Sequence, residues 1–251
     1  MLALLLVAAL AAQDDAAATE AITTFDATIS KTKDPSAKVA AIVTLSRTPH
    51  ERVVSRLGAL LTHDDKSVRI AAAQALTTFK DKDELRRPAS HALTGALSSG
   101  SNQKEVEVLV AIFAAIGHLQ EESSGTVLKS HFDDKDAQLA GAAITAAGDL
   151  KSKAMVEPLI EEVRDCEKKS QPPQQSGGNA RAKPVKSSSK GGGGGGGDPA
   201  PDPEAQKQMR AANLLPTALG ALSTLTGQNF PNSTEWEKWW AKNRSSFTPT
   251  K

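Results

Sequence analysis

The sequence predicts an all-α protein, a solenoid of antiparallel helix pairs stacked side by side. Three observations predict it. Residues 68–79 lie in register with 108–119 and 139–150, and residues 37–45 with 68–76, so that apolar or small side chains fall on one another at offsets of 31, 40 and 31. Periods of that length belong to helical-pair units that cannot bury an apolar face alone and share one continuous core with their neighbours. The chain is 39% hydrophobic but only 4% aromatic, which gives a core of Ala, Leu, Val and Ile, suited to close helix packing and poor for a β-sandwich. Within each copy the apolar residues recur three or four apart, the spacing of one helix face.

The first eleven residues, Met1-Leu2-Ala3-Leu4-Leu5-Leu6-Val7-Ala8-Ala9-Leu10-Ala11, form an uncharged apolar run ending before Gln13-Asp14-Asp15. The run is too short to span a bilayer, and Ala9 and Ala11 are the small residues a signal peptidase requires, so residues 1–11 are expected to be an export signal cleaved after Ala11. Its first residues depart from the usual pattern in lacking Lys and Arg. Ala18, Ile22, Phe25 and Ile29 then keep helical spacing, and residues 12–33 are expected to cap the array.

Four repeats are expected over residues 34–169. The first opens at Asp34-Pro35, an N-cap acid before the residue best tolerated at the start of a helix, and runs through Val39, Ile42 and Leu45. Thr48-Pro49-His50-Glu51 has the form of a capping box, leading into a helix with Val53, Val54, Leu57, Leu60 and Leu61. The second pair covers 65–79 and 84–97, with Pro88 in its second helix at a place where a missing amide does little harm. The loop 98–103 accounts for the offset of 40. The third pair covers 105–119 and 121–132. The fourth starts from Asp136 and is answered by 153–169, with Pro158 near its front.

Residues 170–203 change character, with Pro172-Pro173, seven glycines at 191–197 and Asp198-Pro199-Ala200-Pro201-Asp202-Pro203. Such a segment cannot build a core and is expected to be a flexible linker. Its Arg181, Lys183, Lys186 and Lys190 make a basic stretch, read as solubilising rather than as a contact for an anionic surface. Residues 204–251 return to helices, with Met209, Leu214, Leu215, Leu219, Leu222 and Leu225 on one face and Pro216 as a kink. Gly227 is expected as a helix C-cap and Ser233 or Thr234 as the next N-cap. Trp236, Trp239 and Trp240 share one helix face at i, i+3 and i+4. They are expected to seal the array, because a terminal repeat must cover the last open core; the competing reading is a stacking platform for sugar or peptide.

Asp65, Val68, Arg69, Ala72, Ala75 and Leu76, with Pro88 and Leu93 or Pro158 and Leu159, resemble a short bacterial HEAT repeat across residues 34–169, and residues 221–230 with 235–240 resemble a tail found on secreted bacterial HEAT proteins. The resemblance implies a right-handed curved α-α superhelix whose second helices line the concave side and usually hold another protein. The family's Asp and Arg pair, which ties neighbouring repeats, is incomplete: Arg69 has a basic counterpart at Lys38 and none at Leu109 or Ala140.

The chemistry-bearing residues are sparse. A formal net charge of +1 argues against a nucleic-acid binder, which needs a basic face. Cys166 is the single cysteine, so there is no intramolecular disulfide and no multi-cysteine metal site; it is read as a helix residue. His50, His63, His91, His118 and His131 form no HExxH and no pair four apart. Some HEAT-like enzymes bind two irons through repeated His-Glu pairs, but His50-Glu51 is the only such pair here. Asp133-Asp134-Lys135-Asp136 lacks the spacing, glycine and final Glu of a calcium loop, and no nucleophile-elbow, phosphate-loop or dinucleotide motif occurs.

The expected function is therefore a non-catalytic, exported, monomeric scaffold for a protein partner, with no cofactor, no metal and no membrane insertion once the signal is cleaved. Its candidate surface is the row of second helices, basic at Arg52, Arg56, Arg86, Arg87 and His91 and acidic at Glu157, Glu161 and Glu162, against the reading that these are ordinary solvated faces. The alternatives weighed are a HEAT-type lyase or its regulator holding a small molecule between repeats, and an envelope protein contacting cell-wall polymer through its Trp-rich tail or basic linker.

Overall fold

The computed structural model describes residues 2–171 and 202–249, with side chains from residue 13 onward. The side chains of the expected export signal and the expected linker between 171 and 202 lie outside the described residues. What is described is helical and forms two parallel rows. The first row holds α2 (Pro35–Leu45), α4 (Lys66–Leu76), α6 (Val106–Leu119), α8 (Ala137–Asp149) and α10 (Pro203–Thr226), each packed on the next. The second holds α1 (Leu2–Lys31), α3 (Glu51–Ala59), α5 (Asp83–Leu97), α7 (Gly125–Ser130), α9 (Val156–Ser170) and α11 (Ser233–Asn243). Each second-row helix through α9 also packs on the first-row helix that follows it, the arrangement of an all-α solenoid.

First-row helices start where an aspartate lies ahead of an apolar stripe. Asp34, Asp65, Asp136 and Asp202 are all N-caps that accept a hydrogen bond from a first-turn amide, leaving one fewer orphan donor at each start. Small residues let the row close up. A Cβ on Gly117 would lie 2.8 Å from the carbonyl oxygen of Ala146, and one on Gly148 would lie 2.7 Å from that of Ala221. The first-row ends are also built alike. Gln120 and Lys151 take left-handed backbone angles, with φ of 55° and 53°, where glycine is the usual choice. Each then reaches forward to the end of the next first-row helix: Gln120 Nε2 donates to the Asp149 carbonyl at 3.1 Å, and Lys151 Nζ donates to the Thr224 carbonyl. Gly227, at φ 71°, ends α10 in the same backbone region.

Several local expectations are corrected. Thr48 does not cap α3. The helix starts at Glu51, and His50 is its N-cap, with Nδ1 accepting from the Arg52 amide at 3.2 Å. Asn232, not Ser233 or Thr234, caps α11 by accepting from the Glu235 amide at 3.0 Å. Pro88 lies inside α5, beyond its first turn, so the Glu84 carbonyl loses its helical donor. The second helix of the third pair is short: a 3-10 turn at Glu122–Ser124 leads into the six residues of α7.

The post-linker segment continues the array as a fifth pair, with α10 stacked on α8 and α9, and α11 on α9. Arg210 of α10 completes a pattern the sequence left broken. Arg69 is buried, and its Nη1 donates to the carbonyls of His63 at 2.6 Å and Asp64 at 3.1 Å. Those carbonyls sit in the loop before α4. Ala140 cannot do the same before α8, and Arg210 Nη2 instead reaches in from the next unit to the carbonyls of Phe132 at 3.1 Å and Asp134 at 2.7 Å.

Candidate interaction surface

The second row carries all the charged residues singled out from the sequence, and the structure divides them into those held by neighbouring repeats and those left outward. Arg52 Nη1 donates to Thr19 Oγ1 at 2.7 Å. Arg56 pairs with Asp26 at 2.8 Å and lies 5.2 Å from the Phe25 ring centroid, in reach of a cation–π contact. Both tie α3 to α1. Arg86 pairs with Asp83 at 2.7 Å and with Glu121 at 3.2 Å and donates to the Lys80 carbonyl at 3.3 Å. Glu161 meets Lys129 at 3.4 Å, linking α9 to α7. Serine hydroxyls add to this ladder: Ser90 and Ser124 share a hydrogen bond of 2.5 Å, and Ser152 Oγ donates to Glu122 at 3.0 Å.

Arg87, His91 and Glu157 stay outward. The Arg87 side chain is 80% exposed, with Nε 3.8 Å from Glu121, too far for a strong hydrogen bond. Arg87 and His91 line a groove of about 520 Å³ between α3 and α5, floored by Val54, Gly58 and Ala92. Glu157 lines a smaller groove of about 280 Å³ between α9 and α11 with Glu237, Trp240 and Arg244. The basic and acidic clusters are thus not brought together; they stand at different positions along the row. Glu162 is half-buried and accepts from Cys166 Sγ at 3.3 Å. Burial pushes its carboxyl above the ordinary range. Burial, and next the Glu162 charge, push the Cys166 thiol up to about 12, so at neutral pH it is a protonated thiol and no nucleophile.

Trp236 is fully buried and Trp240 nearly so, while Trp239 is half-buried. Trp236 donates through Nε1 to the Phe230 carbonyl at 3.1 Å and meets the Phe230 ring edge-on at 4.9 Å. Trp239 and Trp240 stack at 6.0 Å, and Phe247 packs edge-on against both. Glu167 of α9 anchors this helix by accepting from the amide and hydroxyl of Ser233 at 3.0 and 2.5 Å. With Trp236 inside the core, the three rings do not form one exposed stacking face.

The histidines are used locally. His50 Nε2 lies 3.1 Å from Asp15 while its Nδ1 caps α3, which leaves no nitrogen for a metal. His63 Nδ1 accepts from the Asp65 amide at 3.0 Å, and His131 packs edge-on against Phe113 at 5.0 Å. Among the described residues no group of three or more His, Cys, Asp or Glu is placed to hold a metal ion, and no helix is long and apolar enough to cross a membrane. Sequence reasoning missed Asn102, which is fully buried and donates to the carbonyls of Leu61 at 3.0 Å and Ala96 at 2.9 Å, pinning the long loop. A lone Asn among serines gives no periodic signal.

Two rows of stacked helices, tied repeat to repeat by arginine–carbonyl bonds and short polar ladders, define an all-α solenoid. Residues 24–103 match the family model for HEAT repeats, and the later pairs continue the same packing. Over residues 24–103 the chain carries HEAT repeats. No curated protein matches it.

Proposed function

We propose that this protein is a non-catalytic scaffold that binds another protein on its second-row face, centred on the groove between α3 and α5. The observation that carries this reading is the division of the charged residues. Arg52, Arg56 and Arg86 are spent on neighbours, whereas Arg87 and His91 border an open groove with an apolar floor. An apolar floor with a few polar groups at its rim is the make-up of a recognition site. Arg87 supplies a planar donor fork suited to a partner carboxylate. Glu157, farther along the row, gives the face the opposite charge at its other end, which orients a partner of mixed charge.

The scaffold is monomeric in this reading and exported through residues 1–11. Size-exclusion chromatography with light scattering and N-terminal sequencing of the cell-derived protein test those two points. The binding face is tested by affinity capture from the envelope fraction with wild type and with Arg87→Glu/His91→Glu. Arg86 is left alone, because reversing it would break the tie to Glu121. A partner retained by wild type and lost by the double variant at unchanged helicity supports the site. Equal capture by both removes it.

A further inference from the structure

The helix rows are not in step at the N-terminal end. Each first-row helix from α2 to α8 packs on the next first-row helix. α1 is a second-row helix: it packs on α3 of its own row and on α2, the first-row helix that follows it. Among the described residues no first-row helix covers the side of α2 that faces away from α4, and that side is open beside α1.

The opening is a groove of about 590 Å³ between α1 and α2. Its floor is apolar, with Phe25 3% and Leu45 2% exposed. Its walls are small: Ala21 and Thr28 on α1 face Ala40 and Thr44 on α2. The two threonine hydroxyls are spent on their own helices, Thr28 Oγ1 donating to the Thr24 carbonyl at 2.8 Å and Thr44 Oγ1 to that of Ala40 at 2.9 Å. Alanine and threonine methyl groups on these walls suit contact with large apolar side chains. Glu20 is the single acid lining the groove, and it makes no ion pair among the described residues. Elsewhere on α1, Asp15 is held by His50, the N-cap of α3, and Asp26 by Arg56 of α3.

We infer that this slot takes one amphipathic α-helix of a partner protein, carrying large apolar residues three and four apart on its inner face and a Lys or Arg opposite Glu20. The rest of the molecule shows what such a slot holds. One step along, the same position against α4 is filled by α2, which buries Ile42 and Leu45 and carries Lys38 and, just past its end, Arg47. A second copy stacked head to tail is not the occupant. Bringing its α10 into the slot would carry its α11, the second-row helix that follows, into the place already held by α1. The slot is a different surface from the α3–α5 groove and stands or falls apart from it.

The test uses the full-length protein and a fluorescein-labelled peptide of residues 34–48 of this chain, the helix that fills the equivalent internal slot. Saturable binding by anisotropy is expected, with a scrambled peptide silent. Ala40→Trp, which fills the slot from one wall, weakens it by about tenfold or more through overpacking. Thr44→Arg on the same exposed wall acts the same way if Ala40→Trp fails to fold. Glu20→Lys weakens binding less, and Arg87→Glu/His91→Glu leaves it unchanged. Absence of saturable binding, or binding that survives Ala40→Trp and Thr44→Arg with circular dichroism unchanged, overturns the inference. Self-association of wild type abolished by Ala40→Trp in sedimentation also overturns it, since the occupant is then a second copy.

Discussion

At its C-terminal end the second row finishes on packed aromatic rings, whereas at its N-terminal end the first row stops at a groove walled by alanine and threonine methyls. Trp236 is fully buried and Trp240 8% exposed, and Glu167 anchors their helix to α9. Across the molecule Ala40, Thr24 and Thr44 remain exposed beside α1. A solenoid must stop somewhere, and each stop leaves a face that the next repeat would have covered. Large rings close such a face within one helix, because each buries much apolar area at little entropic cost. Small residues leave it open and lose little by doing so, because their apolar surface is small. One end is therefore built for stability, and the other keeps a helix-shaped space.

The sharpest way to break that contrast is Trp236→Ala. Removing a fully buried indole is expected to cost about 3–5 kcal/mol, and because repeat arrays hold together through nearest neighbours, the loss should fall first on α11 and its contact with α9. Hydrogen exchange resolved by segment checks it: protection lost at 233–243 while 35–97 is unchanged. A uniform loss would mean that the array unfolds as one unit.

Next in size is Arg210→Met, at the junction where the fifth pair joins the fourth. It deprives the Phe132 and Asp134 carbonyls of a charged donor, worth roughly 1.5–3 kcal/mol. Chemical denaturation should show a lower midpoint. An unchanged midpoint would mean that water serves those carbonyls equally well.

The smallest expected effect is at Glu162. Its folded-state value is raised by burial, so the folded chain binds this proton more tightly than the unfolded one. The stability that this protonation contributes is full below the ordinary carboxylate value of 4.5 and is lost as pH rises through the folded value. Glu162→Gln should therefore match wild type near pH 4 and melt higher at pH 7. A variant that melts lower at both values would assign Glu162 a favourable charged contact instead.

The helices were legible because stacking imposes a period that a sequence cannot hide: Val68, Val108 and Leu139 hold the same register position and all three are buried. The Asp N-caps were legible for the same reason, since Asp34, Asp65 and Asp136 act within two or three residues of themselves. The candidate surface was legible only as a row of charges. Nothing in the spacing distinguishes Arg86, held by Glu121 thirty-five residues away, from Arg87, which faces outward. His50 shows the limit from the other side, because its role depends on Asp15 in a different helix.

By itself, then, the sequence determined the fold class and the aspartate caps at Asp34 and Asp136, because these follow from periodicity and from bonds between near neighbours. Only the tertiary structure decided that α10 and α11 extend the two rows, that Arg210 takes the place Ala140 leaves empty, which arginines are held by neighbouring helices, and that a groove lies open between α1 and α2. Each of these depends on which side chains meet across tens of residues of chain, and a period along the chain does not record such meetings.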